Sequence, residues 1–233
     1  MKGNDSELPA GDFSAWLRQT RNALRDGHGS DVACGDCTGC CSSSYFIHIA
    51  PNETEALRRI PAGALAPAPG RPEGHALMGY DSNGLCPMLS DGKCSIYANR
   101  PQTCRSYDCR VFTAAGIAAG NDAKKVINQR IKRWKFGYPT EQDRLEHLAV
   151  QAVAIFVREH AQCFPGGRVP TDPVQLAILG VKAYDVFLSR SNGKVPGHTR
   201  SDRDIANAVV EACRAFDRRS ADSVVTHPIV TRA

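Results

Sequence analysis

Apolar residues return every three or four positions over much of this chain, the period of helices that pack by one face. From Asp12 to Arg25, the residues Phe13, Trp16, Leu17, Ala23 and Leu24 fall to one side, with Arg18, Arg21 and Arg25 mostly on the other. This spacing predicts an amphipathic helix, preceded by a frayed tail over 1–11 and ended by Gly27 and Gly29. The same period returns late in the chain. Asn121 to Phe136 puts Val126, Ile127, Arg130, Ile131 and Trp134 near one face. Glu141 to His160 carries Leu145, Leu148, Ala149, Ala152, Phe156 and Val157 as a stripe. Asp172-Pro173 offers an N-cap followed by proline at the first helical position and opens a run to Leu188. Asp202 to Arg218 buries Ile205, Val209, Ala212, Cys213 and Phe216, and the tail from Ser220 has no period.

Between these helices the pattern breaks. Tyr45 to Ile49 predicts a short strand, and Asn52 with Glu55 predicts a capping box at the start of a short helix. PAGALAPAPGRPEGH, residues 61–75, holds four prolines and three glycines, a composition unfit for a helix or a central strand, so an exposed loop is expected. Cys86 to Cys109 runs through short turns rich in Gly, Asp and Pro. The fold class expected is mainly α with an irregular cysteine-rich metal-binding subdomain. The expected division is a tail and helix over 1–29, the cysteine-rich subdomain over 30–112, a helical region over 113–219 and a tail over 220–233.

Composition changes this picture little. With 233 residues the chain can bury a core without disulfide staples, and 42% hydrophobic with 23% charged residues excludes wholesale disorder. The N-terminus has no apolar signal-peptide core, and the longest apolar stretch, Leu148 to Val157, is too short to span a bilayer. A cytoplasmic protein without a membrane partner is expected. The net charge of +5 and the basic helix with Lys124, Lys125, Arg130, Lys132, Arg133 and Lys135 are compatible with nucleic acid. Because these charges are not confined to one face, a solvated surface is the preferred reading.

Cysteine is the chemistry that matters. Of ten cysteines, eight lie between residues 34 and 109: Cys34, Cys37, Cys40, Cys41, Cys86, Cys94, Cys104 and Cys109. Thiolates two residues apart turn inward on one ion because the intervening turn is tight and its N–H groups hydrogen-bond the sulfurs. The overlapping CxxCxxC of Cys34, Cys37 and Cys40 is how ferredoxins present three ligands to a 4Fe-4S cluster, with a fourth from a distant Cys-Pro such as Cys86-Pro87. Adjacent side chains diverge, so Cys41 is assigned with Cys94, Cys104 and Cys109 to a second site. Zinc competes with the iron-sulfur cluster for the same thiols.

These residues carry a resemblance. CGDCTGCC followed by GLCPMLSDGKCSIYANRPQTCRSYDC resembles the CxxCxxCC (YkgJ-like) cysteine-cluster family, known by that signature and described as zinc- or iron-chelating domains. The matching positions are Cys34, Cys37, Cys40 and Cys41, Cys86-Pro87, Cys94 with Ile96-Tyr97, Arg100-Pro101, Cys104-Arg105 and Cys109, over residues 30–112. Tyr107 stands where that family often has phenylalanine. The family includes flagellin lysine N-methylases, so the resemblance extends to an iron-sulfur cluster, S-adenosylmethionine and modification of a protein side chain.

Four further residues sit among the ligands. Arg100 and Arg105 would offset an anionic thiolate site or receive an anionic substrate; Tyr97 and Tyr107 would pack over the centre and limit water, or act as phenols. His48 and His75 are read as ordinary structural histidines, Cys213 as core and Cys163 as inert. The chain has no GxGxxG after a strand, no P-loop, no GxSxG, no HExxH and no CxxxCxxC, so whether it is an enzyme is left open. Its partner is either a protein or small-molecule substrate, or a protein or nucleic acid bound by a metal-shaped surface.

Overall fold

The structure is a computed structural model that describes residues 6–26, 32, 37–191 and 201–225. In chain order, β1 (Leu8–Asp12) and α1 (Phe13–Asp26) are followed by β2 (Ile47–Ile49), α2 (Thr54–Arg59), β3 (Leu65–Pro67) and β4 (Ala76–Met78). Next come β5 (Leu89–Ser90), β6 (Lys93–Cys94), α3 (Gln102–Ser106), α4 (Arg110–Ala115), α5 (Lys125–Arg133) and β7 (Trp134–Gly137). The chain continues with α6 (Glu141–Glu159), α7 (Pro173–Ala183), α8 (Asp185–Ser191) and α9 (Asp202–Val225). The protein is mainly helical, with small sheets and an irregular cysteine-rich part. No described helix is long and apolar enough to cross a membrane.

Two compact units divide these elements. One comprises residues 1–27, 110–118 and 134–233; the other comprises 28–109 and 119–133.

The first unit is built on α6, which packs against α1, α4, α7 and α8. Its buried residues are Ala149, Val150, Val153, Ala154, Phe156 and Val157, while Leu148 is exposed, so the stripe is rotated from the one expected. Thr140 caps the helix: its hydroxyl accepts from Asp143 N–H, and the Asp143 carboxylate accepts from Thr140 N–H at 3.0 Å. The same carboxylate accepts Ser14 N–H at 2.9 Å, tying the start of α1 to the start of α6. On α7, Gly180 allows a close helix crossing, since a Cβ there would stand 2.9 Å from Val150 O.

Several expectations are corrected in this unit. Residues 8–12 are not frayed: β1 pairs in parallel with β7, Leu8 opposite Trp134 and Asp12 opposite Gly137. The helix expected to reach Phe136 stops at Arg133 for the same reason, because residues 134–137 are taken up in the strand pair. The apolar run to Leu188 is broken at Tyr184 into α7 and α8. Arg21, expected on the polar face of α1, donates Nη1 to Val181 O at 2.6 Å and Lys182 O at 2.9 Å. It thereby satisfies terminal carbonyls of α7 that have no partner within the helix, and its guanidinium lies over the Tyr184 and Phe216 rings.

The second unit has a three-stranded antiparallel sheet in the order β2-β4-β3, with Ile47 and Leu65 both opposite Met78. Part of the expected proline loop is therefore strand, but an edge strand, where a proline without N–H is tolerated. The core beneath it is Ile49, Ala56, Ile60, Met78, Met88 and Ile96. Asn52 does not cap α2. Glu53 holds that position, accepting Ala50 N–H at 2.8 Å on one oxygen and Gln102 N–H at 2.6 Å on the other, so one carboxylate anchors the starts of α2 and α3. Asp91 and Gly92, both with positive φ, make the two-residue turn between β5 and β6. On α5, Ile127 and Ile131 are buried and Val126 is exposed.

Candidate metal centre

Cys37 to Ser44 fold as consecutive turns. Gly39 N–H faces Cys37 Sγ at 3.4 Å, the amide-to-sulfur bond of a metal-binding knuckle. Ser42 N–H donates to Thr38 O at 2.9 Å and Ser43 Oγ to Gly39 O at 2.5 Å, closing the turn. A Cβ at Gly39 would meet both Cys37 Sγ and the backbone of Ile127 at 3.4 Å, so α5 lies directly against the knuckle. Lys124 supports the next turn, donating to Ser43 O and, at 3.2 Å, to Ser44 O, with its ammonium 3.5 Å from the Tyr45 ring centroid. Cys34 lies outside the described residues.

The second cysteine block is joined to the first through the backbone. Cys86 N–H donates to Cys41 O at 2.7 Å, and the Cys41 and Cys86 thiols hydrogen-bond each other. In that pair the Cys86 thiolate accepts from Cys41, which holds Cys86 below the ordinary thiol value and Cys41 above it. Burial and the charges of Cys86, Cys40 and Cys94 push Cys41 further up. Met88 N–H also bonds to the Cys86 sulfur. Cys94 is raised chiefly by burial, an effect opposed by a bond from Ile96 N–H and by the Arg100 charge. Cys37, Cys86 and Cys94 thus each receive the amide two residues ahead, from Gly39, Met88 and Ile96.

The grouping differs from the division suggested by spacing. Cys86 sits with Cys41 and Cys94, because β5, β6 and the Cys86 turn pack on Met88 and Ile96 and carry both sulfurs to the edge of the apolar core. Cys40 acts on Cys41 and, with Cys109, on Tyr107. Cys104, in α3, is half-buried.

Tyr107 is held strongly protonated, first by burial and then by Tyr45, whose hydroxyl it donates to at 2.8 Å. Tyr97 is exposed, with the Arg100 guanidinium 4.0 Å over its ring and Arg100 Nη1 bonded to its carbonyl at 2.9 Å. Arg105 donates to Ala98 O at 3.0 Å. Of the four residues expected around the centre, Tyr107 and Arg100 therefore border thiols, and Tyr97 and Arg105 are engaged on the turn between them. His48 and His75, read singly in the sequence, face each other with Nε2 and Nδ1 2.8 Å apart. β2 and the approach to β4 bring them together, and a sequence carries no signal for such a cross-strand pair.

Residues 33–133 match the CxxCxxCC family, described as "Putative zinc- or iron-chelating domain". No curated protein and no solved structure matches the chain. The matched segment contains all eight clustered cysteines and runs past the resemblance seen in the sequence to take in α5, the helix that lies against Gly39. Metal binding is the role this match supports for the segment, with zinc and iron both within the description.

Proposed function

We propose that the segment 33–133 holds iron as a cysteine-ligated iron-sulfur centre, of the 4Fe-4S kind. The observation that carries this reading is the joining of the CxxCxxCC block to Cys86-Pro87, the distant Cys-Pro of the ferredoxin pattern, through Cys86 N–H to Cys41 O and the Cys41–Cys86 thiol pair. Cys41 pairs with Cys86 and feels the charges of Cys40 and Cys94, and Tyr107 feels those of Cys40 and Cys109. The donors fit such a cluster: all are soft sulfur, Cys86 and Cys94 lie against an apolar core, and backbone N–H groups serve Cys37, Cys86 and Cys94. When bound, such a cluster supplies electron transfer or an open iron coordination position. The residues of this chain supply the ligands, charge compensation at Arg100 and a half-buried phenol at Tyr107.

A zinc-holding module that shapes a surface for a protein or nucleic acid is the second reading, favoured by the three amide-to-sulfur knuckles, which zinc sites also use. Purification without oxygen decides between them. Iron with acid-labile sulfide and broad visible absorption is expected; a colourless protein with stoichiometric zinc and no iron refutes the iron-sulfur reading. Cys41→Ser and Cys86→Ser should each lower metal content, and unchanged content in both would remove these thiols from the ligand set.

A further inference from the structure

A second group of ligand atoms lies in the helical unit, outside the segment that matches the family. α6 stops at His160, and a single 3-10 turn, Ala161–Cys163, follows. Cys163 N–H donates to His160 O at 2.8 Å, which folds the cysteine back toward the imidazole. Asp202, the first residue of α9, closes the group from another part of the chain. His160 Nδ1 stands 3.2 Å from Asp202 Oδ2, and the imidazole nitrogen, the Cys163 sulfur and a carboxylate oxygen all lie within 4.8 Å of one another.

The surrounding residues fix the His160 ring and leave the Asp202 carboxylate out of the helix cap. The His160 ring stacks on Phe156 with centroids 4.5 Å apart and planes 17° from parallel, which sets the direction of its nitrogens. The cap of α9 is made by other residues. Ser201 Oγ donates to Asp204 Oδ2 at 2.7 Å, Ser201 N–H donates to the same oxygen at 3.1 Å, and Asp204 N–H returns to Ser201 Oγ at 3.2 Å. Asp202 takes no part in that cap and faces His160 instead. His160 and Cys163 are half-buried and Asp202 is exposed, so the group opens to solvent on one side.

We infer that His160, Cys163 and Asp202 form a zinc site with its fourth position open to water. Given Zn–N and Zn–O bonds of about 2.0 Å and Zn–S of about 2.3 Å, ligand atoms around a tetrahedral zinc stand roughly 3.5 Å apart. The His160–Asp202 spacing, 3.2 Å, is already of that size, and the Cys163 sulfur stands within 4.8 Å of both atoms. One imidazole, one thiolate and one carboxylate is a set of intermediate softness that suits zinc, whereas calcium and magnesium want oxygen throughout. A plain His160–Asp202 ion pair on an exposed surface contributes little stability and gives no reason for the thiol to stand beside it.

The test uses the full chain as purified, with its resident metal counted first, and then titrates zinc alone. Wild type should take up one more zinc ion than Cys163→Ser and than His160→Ala, and Asp202→Asn should bind that ion at least about tenfold more weakly. Because Asp202 is exposed and Cys163→Ser keeps the side-chain size, these two variants retain the test if His160→Ala fails to fold. Cobalt(II) added in place of zinc should give a sulfur-to-cobalt band that Cys163→Ser lowers by one thiolate equivalent, while the metal counted before titration is the same in all variants. Equal zinc uptake by wild type and Cys163→Ser, or an unchanged cobalt band, overturns the proposal. Neither result bears on the centre in residues 33–133, whose metal is measured separately.

Discussion

Among the described glycines of the metal-binding unit, Gly84 should be the least able to accept a side chain, and Gly84→Ala measures how firmly the two cysteine blocks are held together. Its φ is +77, a region that costs a residue with a Cβ about 1–2 kcal/mol. The added Cβ would also fall well inside contact distance of Ser44 Oγ. Ser44 cannot retreat freely: its N–H donates to Gly84 O at 3.1 Å, its hydroxyl to the same oxygen at 3.4 Å, and its carbonyl receives Lys124. Rotating the hydroxyl away loses that bond, about 0.5–1.5 kcal/mol more. The expected loss is thus about 1.5–3.5 kcal/mol, roughly 10- to 400-fold in the unfolding equilibrium. Urea unfolding of the metal-loaded chain, followed by metal release, reads it. The clash part is separable: in a Ser44→Ala background the same substitution should cost only the backbone part, about 1–2 kcal/mol. An equal cost in both backgrounds refutes the clash, and no cost in either refutes the placement of the Ser44–Gly84 turn beside Cys41 and Cys86.

Two predictions concern the helical unit and its response to acid. Asp143 is held down to about 2, first by the Thr140 hydroxyl and then by Ser14 N–H, so its contribution is fully present above its ordinary value of 3.8 and lost as pH falls through about 2. Asp143→Asn should cost about 1–2 kcal/mol at neutral pH by urea unfolding, and a gap from wild type that does not narrow below pH ~4 would contradict the cap. His147, stacked on Phe13 at 4.3 Å and bonded through Nδ1 to Tyr138 at 2.6 Å, is pushed below its ordinary value of 6.5 by burial. Folding therefore favours the neutral ring, and that stability is present above 6.5 and lost as pH falls below it. His147→Gln should flatten the stability profile just below pH 6.5, and a wild-type profile already flat there would show that the ring titrates freely.

How far the chain could be read from its sequence follows from how local each feature is. The helices were legible because one-sided burial repeats within a few residues, as with Phe13, Trp16 and Leu17, all buried as expected. β1 was not, since LPAGD looks like coil until WKFG, far along the chain, supplies its hydrogen bonds; that unseen partner also explains why α5 stops at Arg133. Exposure of Leu148 and burial of Val150 and Val153 show the same limit within one helix, because which face turns inward depends on the neighbours. The cysteines divide in the same way. That Cys37, Cys40 and Cys41 belong to one turn is a matter of spacing, but that Cys41 meets Cys86 depends on one long-range backbone bond, Cys86 N–H to Cys41 O, which no spacing encodes. His160 and Cys163 could have been noticed as a histidine and cysteine one turn apart at a helix end. Without Asp202, which only folding delivers, they amount to an unremarkable pair, and the reading of Cys163 as inert was the natural one. Ligand type is thus written locally and ligand grouping is not.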